Sequence, residues 1–106
     1  MLVLSRMKDE SVMIGHDLLV TVSELDVARV ELLVYRKTRG GRMSFLTEMA
    51  RTWLDLDASI PLGEEMSCSI VDIRGDKVRL GFPFSKNVSV VRKELYDAQE
   101  RDKDVP

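Results

Sequence analysis

Apolar and polar residues alternate along most of this chain. Met66, Cys68 and Ile70 alternate with Ser67 and Ser69, and Val78, Leu80 and Phe82 alternate with Lys77, Arg79 and Gly81. Val20 and Val22 set against Thr21 and Ser23, then Val30, Leu32 and Val34, repeat the pattern earlier. A period of two sends successive side chains to opposite faces of a pleated strand, so each run predicts a strand with one buried face. The β-branched and aromatic content of these runs agrees. Strands are expected over 2–6, 11–14, 18–25, 28–35, 66–73, 77–82 and 88–92. Gly75-Asp76 reads as a tight hairpin turn, and Asp26-Val27-Ala28 as the matching turn of the earlier run, without its glycine.

Two stretches predict helix. Lys93 to Arg101 consists of good helix formers with no breaker. In Thr47 to Leu54, the residues Met49, Ala50, Trp53 and Leu54 fall on one helical face, with Thr47 as N-cap and Asp55 to Asp57 as the closing loop. The polar residues Asp102 to Pro106 are expected to fray. The class is mainly β with short helices.

Sliding the chain along itself gives an echo at an offset of 48. Ser11 to Asp17 falls on Ser59 to Glu65, Val20 to Leu25 on Cys68 to Ile73, and Arg29 to Leu32 on Lys77 to Leu80. With a three-residue gap, Met43-Ser44-Phe45-Leu46 matches Val88-Ser89-Val90-Val91. The common order and the shared Ser and Gly positions favour an internal duplication.

Composition narrows the chemistry. The chain has 106 residues, 16 Lys and Arg against 18 Asp and Glu, and a net charge of −2. A wholly basic nucleic-acid binder and an acidic disordered tail are both excluded. Cys68 has no second cysteine to pair with, and one His16 cannot complete a zinc site. No run is long enough to cross a bilayer as a helix. The first residues lack the basic and apolar regions of a signal peptide. Structure is expected from the first residue, in a reducing, cytoplasmic setting.

No catalytic constellation emerges. His16 follows Gly15 at a turn, without a nucleophile or carboxylate at catalytic spacing, and is read as an exposed turn histidine. Cys68 falls on an inward strand position as a small core residue. Asp55 with Asp57, and Glu64 with Glu65, lack the glycine-punctuated loop of a calcium site. Gly40-Gly41 lacks phosphate-loop spacing. No cofactor or metal is expected. Positive charge is more informative. Residues 36–42 hold Arg36, Lys37, Arg39 and Arg42 with no acid, and 74–93 hold six cations against Asp76 alone. Cations gathered on strands and adjoining loops suit an anionic partner. Lys and Arg guarding sheet edges against aggregation explain them equally well.

Three blocks carry a family resemblance. Met1-Leu2-Val3-Leu4-Ser5-Arg6 followed by Glu10-Ser11-Val12-Met13-Ile14-Gly15 resembles the start of the carbon storage regulator family (CsrA/RsmA). Ile73 to Phe82 resembles its central hairpin, and Val88 to Tyr96 its last strand and the start of its helix. The likeness is close over 1–15 and 64–106 and looser over 16–46. It implies interlaced antiparallel β-sheets, a fold in which two protomers exchange strands. It also implies an RNA-binding protein that controls messenger translation and stability by reading GGA in hairpin loops near ribosome-binding sites. Single-stranded loop bases expose their edges to strands, while Arg and Lys hold the phosphates.

Carried over residue by residue, the resemblance assigns RNA contacts to Leu4, Ser5, Arg6, Lys86, Val90 and Arg92. Arg36, Lys37, Arg39, Arg42 and Arg74 are candidate accessory contacts. The chain departs from the family at Met7, where a basic residue is common, at Val91, where the family has histidine, and at Phe84-Ser85 in place of Ala-Pro. Two organisations fit the added length: two fused halves (1–56 degenerate, 57–106 with intact last strand and helix) forming an intrachain pseudo-dimer, or one protomer with an insertion that still forms a homodimer. Expected partners are the 5′ leaders of messengers, small regulatory RNA and a protein antagonist, with no membrane. The alternative is a module of the same fold that has lost strong RNA binding and acts through a regulatory protein.

Overall fold

The computed structural model describes residues 1–103. Its strands are β1 (Leu2–Met7), β2 (Ser11–Ile14), β3 (Leu18–Leu25), β4 (Arg29–Gly40), β5 (Met43–Asp55), β6 (Ser59–Pro61), β7 (Ser67–Arg74), β8 (Lys77–Phe82) and β9 (Val90–Arg92), and α1 (Lys93–Lys103) follows them. The helix continues through residues 102 and 103; the rest of the expected frayed end lies outside the described residues.

Two antiparallel sheets result, ordered β1-β8-β7-β6 and β5-β4-β3-β2-β9. The alternating apolar residues meet between them. Leu4, Cys68, Ile70, Val78, Leu80 and Phe82 from the first sheet share one core with Val12, Val20, Val22, Val30, Leu32 and Leu54 from the second. Fully burying an aliphatic side chain of this kind contributes about 1.5–3 kcal/mol. The helix covers the outer face of the second sheet, where Tyr96 packs on Met13 and Leu19.

The echo of the sequence reappears as a repeated register. Adding 48 to both members of the β2–β3 pair Ser11↔Thr21 gives the β6–β7 pair Ser59↔Ser69. Val22↔Leu32 likewise becomes Ile70↔Leu80, and the register shift between Val22 and Glu24 recurs between Ile70 and Asp72. The strands then cross over. β1 pairs with β8 as Leu2↔Phe82, whereas its 48-residue counterpart in β5 pairs with β4 as Ala50↔Val34. Each sheet thus takes its central strands from one part of the chain and a flanking strand from the other, the interlacing expected of the fold.

The helix expected over 47–54 does not form. Those residues belong to β5, which pairs with β4 from Arg29↔Asp55 to Gly40↔Met43. Thr47 is consequently no N-cap. A helix there would rest on burying its apolar face, yet Met49 and Trp53 stay 53% and 41% exposed. The long ladder instead satisfies the backbone groups, and tertiary pairing overrides a modest helical preference. Gly41, with φ of 64°, supplies the first position of the two-residue turn that starts this ladder. Met43 to Leu46 sits on the same arm and pairs with β4, so it does not repeat the pairing of β9 with β2.

Strand limits differ elsewhere for local reasons. β4 runs to Gly40 because β5 partners it, and β9 begins at Val90, after the expected start at 88. β6 was not expected as a strand, although the echo laid it over β2. The β3–β4 turn works without glycine because Asp26 Oδ1 accepts from the backbone N–H groups of Ala28 and Arg29 at 2.8 and 2.9 Å. These two bonds hold the Asp26 carboxyl below its ordinary pKa.

Candidate nucleic-acid interface

β1 and β9 belong to different sheets and both end their sheets. The chain brings them to a common corner through β2. Arg6 Nη1 donates to Ser11 O at 3.1 Å, and the adjacent Val12 pairs with Arg92. Glu94, in the first turn of α1, completes the corner. Its carboxylate accepts from Arg6 Nη1 at 2.7 Å and from Nη2 at 3.0 Å.

Alternation decides which parts of β1 face outward. Leu4 and Arg6 turn inward and are 7% and 5% exposed, while Ser5 and Met7 are exposed. The Arg6 guanidinium is accordingly buried and fully engaged: Nε donates to Ser5 O at 2.9 Å, and the other nitrogens serve Ser11 and Glu94. The Met7 N–H donates to Glu10 Oε1 at 2.7 Å, and Met7 O accepts from Glu10 N at 3.0 Å. With both Met7 backbone groups spent away from β8, the antiparallel alternation leaves those of Val3 and Ser5 on the open edge. Leu4, Ser5 and Arg6 therefore contribute a core anchor, an exposed edge and a buried cation respectively.

On β9, Val90 touches the main core and Val91 packs beneath Tyr96. Arg92, two residues from Val90, points the same way and lies half-buried beside Glu94. Hydrogen bonding to Arg6 is the main cause holding the Glu94 carboxyl down at about 2, with the charges of Arg6 and Arg92 adding to it. The same pairing raises Arg6 above its usual value. Lys86 is exposed on the loop before β9. The neighbouring Ser85, which stands where the family has proline, orders that loop by accepting from Asn87 N and Val88 N, each at 3.1 Å.

The accessory cations divide into two groups. Arg74 is exposed and pairs with Asp72 at 2.6 Å, at the turn of the β7–β8 hairpin in the first sheet. Arg36, Arg39 and Arg42 are exposed on the arm formed by the ends of β4 and β5. Lys37 lies over the Tyr96 ring at 5.1 Å, and His16 Nδ1 is 3.1 Å from Tyr96 Oη. Together with Arg39 and Glu100 they line a cleft of about 340 Å3. His16 is exposed as expected, but its bond to Tyr96, 80 positions away, had no sequence signal. Arg79 was also missed as a site residue. It is exposed and sits directly across the β1–β8 ladder from Ser5, a placement that requires the register.

At the 48-residue counterpart of this corner, Thr52, Trp53 and Leu54 stand for Leu4, Ser5 and Arg6. Leu54 is buried in the core, and Arg29 lies over the Trp53 ring at 4.6 Å. Among the described residues, no strand stands beside β6 as β9 stands beside β2. Among the described residues, no group of three or more His, Cys, Asp or Glu is placed to hold a metal, and no helix is long and apolar enough to cross a membrane. Burial pushes the Cys68 thiol up to about 12, in keeping with a core position.

Comparison with known proteins adds the following. The model of the CsrA family, described as a global regulator protein family, matches residues 1–36 and 56–101. The translational regulator CsrA of Ruminiclostridium cellulolyticum is 46% identical over 48 residues, covering 44% of this chain and 67% of that protein. Those of Brachyspira hyodysenteriae and Leptospira biflexa are 42% and 48% identical over 45 and 46 residues, each covering 42% of this chain. The chain spans 55% and 58% of the length of these two relatives. No solved structure matches.

Proposed function

The chain belongs to the CsrA family of global regulators, and from that premise we propose an RNA-binding regulator of translation that reads GGA in a hairpin loop at the β1–β9 corner. The relatives named above are translational regulators. The observation that carries the reading is the crossed strand pairing, which leaves β1 and β9 as end strands of different sheets and links them at one corner through Arg6, Ser11 and Glu94, next to Arg92. The edge groups of Val3 and the N–H of Ser5, whose carbonyl already accepts from Arg6 Nε, suit the base edges of a splayed loop, and Arg92, Lys86 and Arg79 suit its phosphates. Arg6 acts here as a positioning residue that ties β1 to β2 and α1. The repeated register supports a fused duplication in which one chain stands for a dimer. On this reading only one corner is equipped, since the other has Leu54 in place of Arg6 and lacks a β9. The targets are messenger leaders, with small regulatory RNA competing for the same corner.

The commitment of Arg6 to Glu94 favours one other reading, a module that has given up RNA and acts through a regulatory protein. An electrophoretic shift decides between them. Selective binding of a GGA hairpin over the same hairpin carrying CCU, lost in Arg92→Ala, supports the RNA reading; equal weak binding to both supports the protein module.

A further inference from the structure

β4 runs on past its last pair with β3, Leu18↔Arg36. Alternation then places Tyr35, Lys37 and Arg39 in a row on the outer face of the second sheet, the face that α1 covers. The Lys37 N–H donates to Asp17 O at 2.6 Å, which ties this stretch to the β2–β3 turn. Three elements therefore wall the cleft of about 340 Å3: β4 with Lys37 and Arg39, the turn with His16, and α1 with Tyr96 and, one helical turn on, Glu100. The family match stops at residue 36 and resumes at 56. His16, Tyr96 and Glu100 thus sit on family elements, while the two cations come from the added arm.

The cleft gathers donors. Tyr96 is fixed against Met13 and Leu19, and burial raises its hydroxyl above the ordinary pKa, so it stays a donor at pH 7. Its Oη lies 3.1 Å from His16 Nδ1. With the tyrosine donating, the neutral imidazole carries its proton on Nε2. The Lys37 ammonium is held over the Tyr96 ring at 5.1 Å. Lys93 on the same helix is paired with Asp97, whereas among the described residues neither Lys37 nor Arg39 joins an ion pair. Like charges in one concavity repel, and a bound anion offsets that repulsion. We propose that the cleft binds a small phosphate monoester, its phosphate held by Lys37, Arg39 and His16. A monoester carries about −1.5 to −2 at pH 7, which matches two cations, and its oxygens accept charge-assisted bonds from guanidinium and ammonium alike. Ligand pockets span about 300–1,000 Å3, so a cleft near the lower limit takes a small ester. Glu100 sets an acid on the α1 wall, which fits one phosphate and opposes a run of them. His16 lies beyond Ile14, at the far end of β2 from Ser11 and the β1–β9 corner. The inference is therefore independent of what that corner binds.

Proton NMR of the imidazole of His16, the sole histidine, tests it on the full chain at pH 7 and constant ionic strength. Glycerol 3-phosphate should shift the ring signals along a saturable curve, and glycerol should leave them in place. Arg39→Glu and Lys37→Gln should each weaken the affinity about tenfold or more, the loss expected for one charge-assisted hydrogen bond, with an unchanged circular dichroism spectrum. A response that stays linear and equals that to added sodium chloride overturns the proposal. An affinity indifferent to both substitutions overturns it as well, since the ester would then sit elsewhere. If the ester fails to saturate while Arg39→Glu weakens binding of a GGA hairpin, the cleft holds RNA backbone and the small-ligand assignment falls.

Discussion

Replacing Glu94 by glutamine should destabilise the fold and tighten RNA binding at once. The Arg6 side chain is 6% exposed and that of Glu94 57%. Glu94→Gln removes the charge from two short bonds, of 2.7 and 3.0 Å, and leaves a buried guanidinium with the carbonyls of Ser5 and Ser11 and with Glu10, whose Oε1 is 3.9 Å from Arg6 Nε. Removing one partner of a fully buried pair costs about 3–5 kcal/mol. Solvent at Glu94 screens this pair, and the retained carbonyl bonds compensate further, so about 1–2 kcal/mol is expected. Urea unfolding at pH 7 reads this directly. The carboxyl lies at about 2 in the folded protein, below its ordinary value of 4.5. A depressed folded pKa gives stability that is present above the unfolded value and lost as pH falls through the folded one. The gap between wild type and variant should therefore shrink from pH 4.5 to pH 2. RNA affinity should rise, because the corner loses an acid and uncovers the charge of Arg6. An unchanged unfolding midpoint, or a gap that persists undiminished at pH 2, would refute the energetic argument.

Arg92→Ala should abolish preference for the GGA hairpin while leaving the melting temperature within a few degrees, as a half-buried cation at a strand end contributes little to stability. Leu80, fully buried between Leu4 and Ile70, should cost about 2–5 kcal/mol on mutation to Ala, checked by the same urea titration. RNA affinity should fall as salt rises, with a log–log slope equivalent to a few phosphate contacts, and a flat response would count against the corner as an anion site. Cys68 should resist a thiol reagent in the native chain and react once urea unfolds it; fast native labelling would contradict its burial.

The strands that carry the site were legible because period-two alternation is local information, and Ser11 to Ile14 or Lys77 to Phe82 express it without competition. Thr47 to Leu54 was not, since its residue types serve a solvated helix or a solvated strand equally. Only the pairing with β4 selects between them, and that pairing depends on Gly41 turning the chain. The echo offered the missing cue: at the same offset of 48, Ala50 to Asp55 falls on Leu2 to Met7, a strand. The resemblance named Arg6 and Arg92 as site residues. It did not foresee that Arg6 would be buried on Glu94, because that contact spans 88 positions and needs β1, β2 and α1 in place. That the described residues form no second helix is legible afterwards in the outer face of the first sheet. The counterparts of Met13, Leu19 and Tyr35 are Pro61, Ser67 and Pro83, which offer a helix no apolar seat.

On the proposed reading, crossed pairing leaves one RNA site per chain, and calorimetric titration with a GGA hairpin measures that number. The expected stoichiometry is one hairpin per chain, whatever the oligomeric state, with heat lost in Arg92→Ala. Two equivalent hairpins per chain, or binding undiminished in Arg92→Ala, would contradict it.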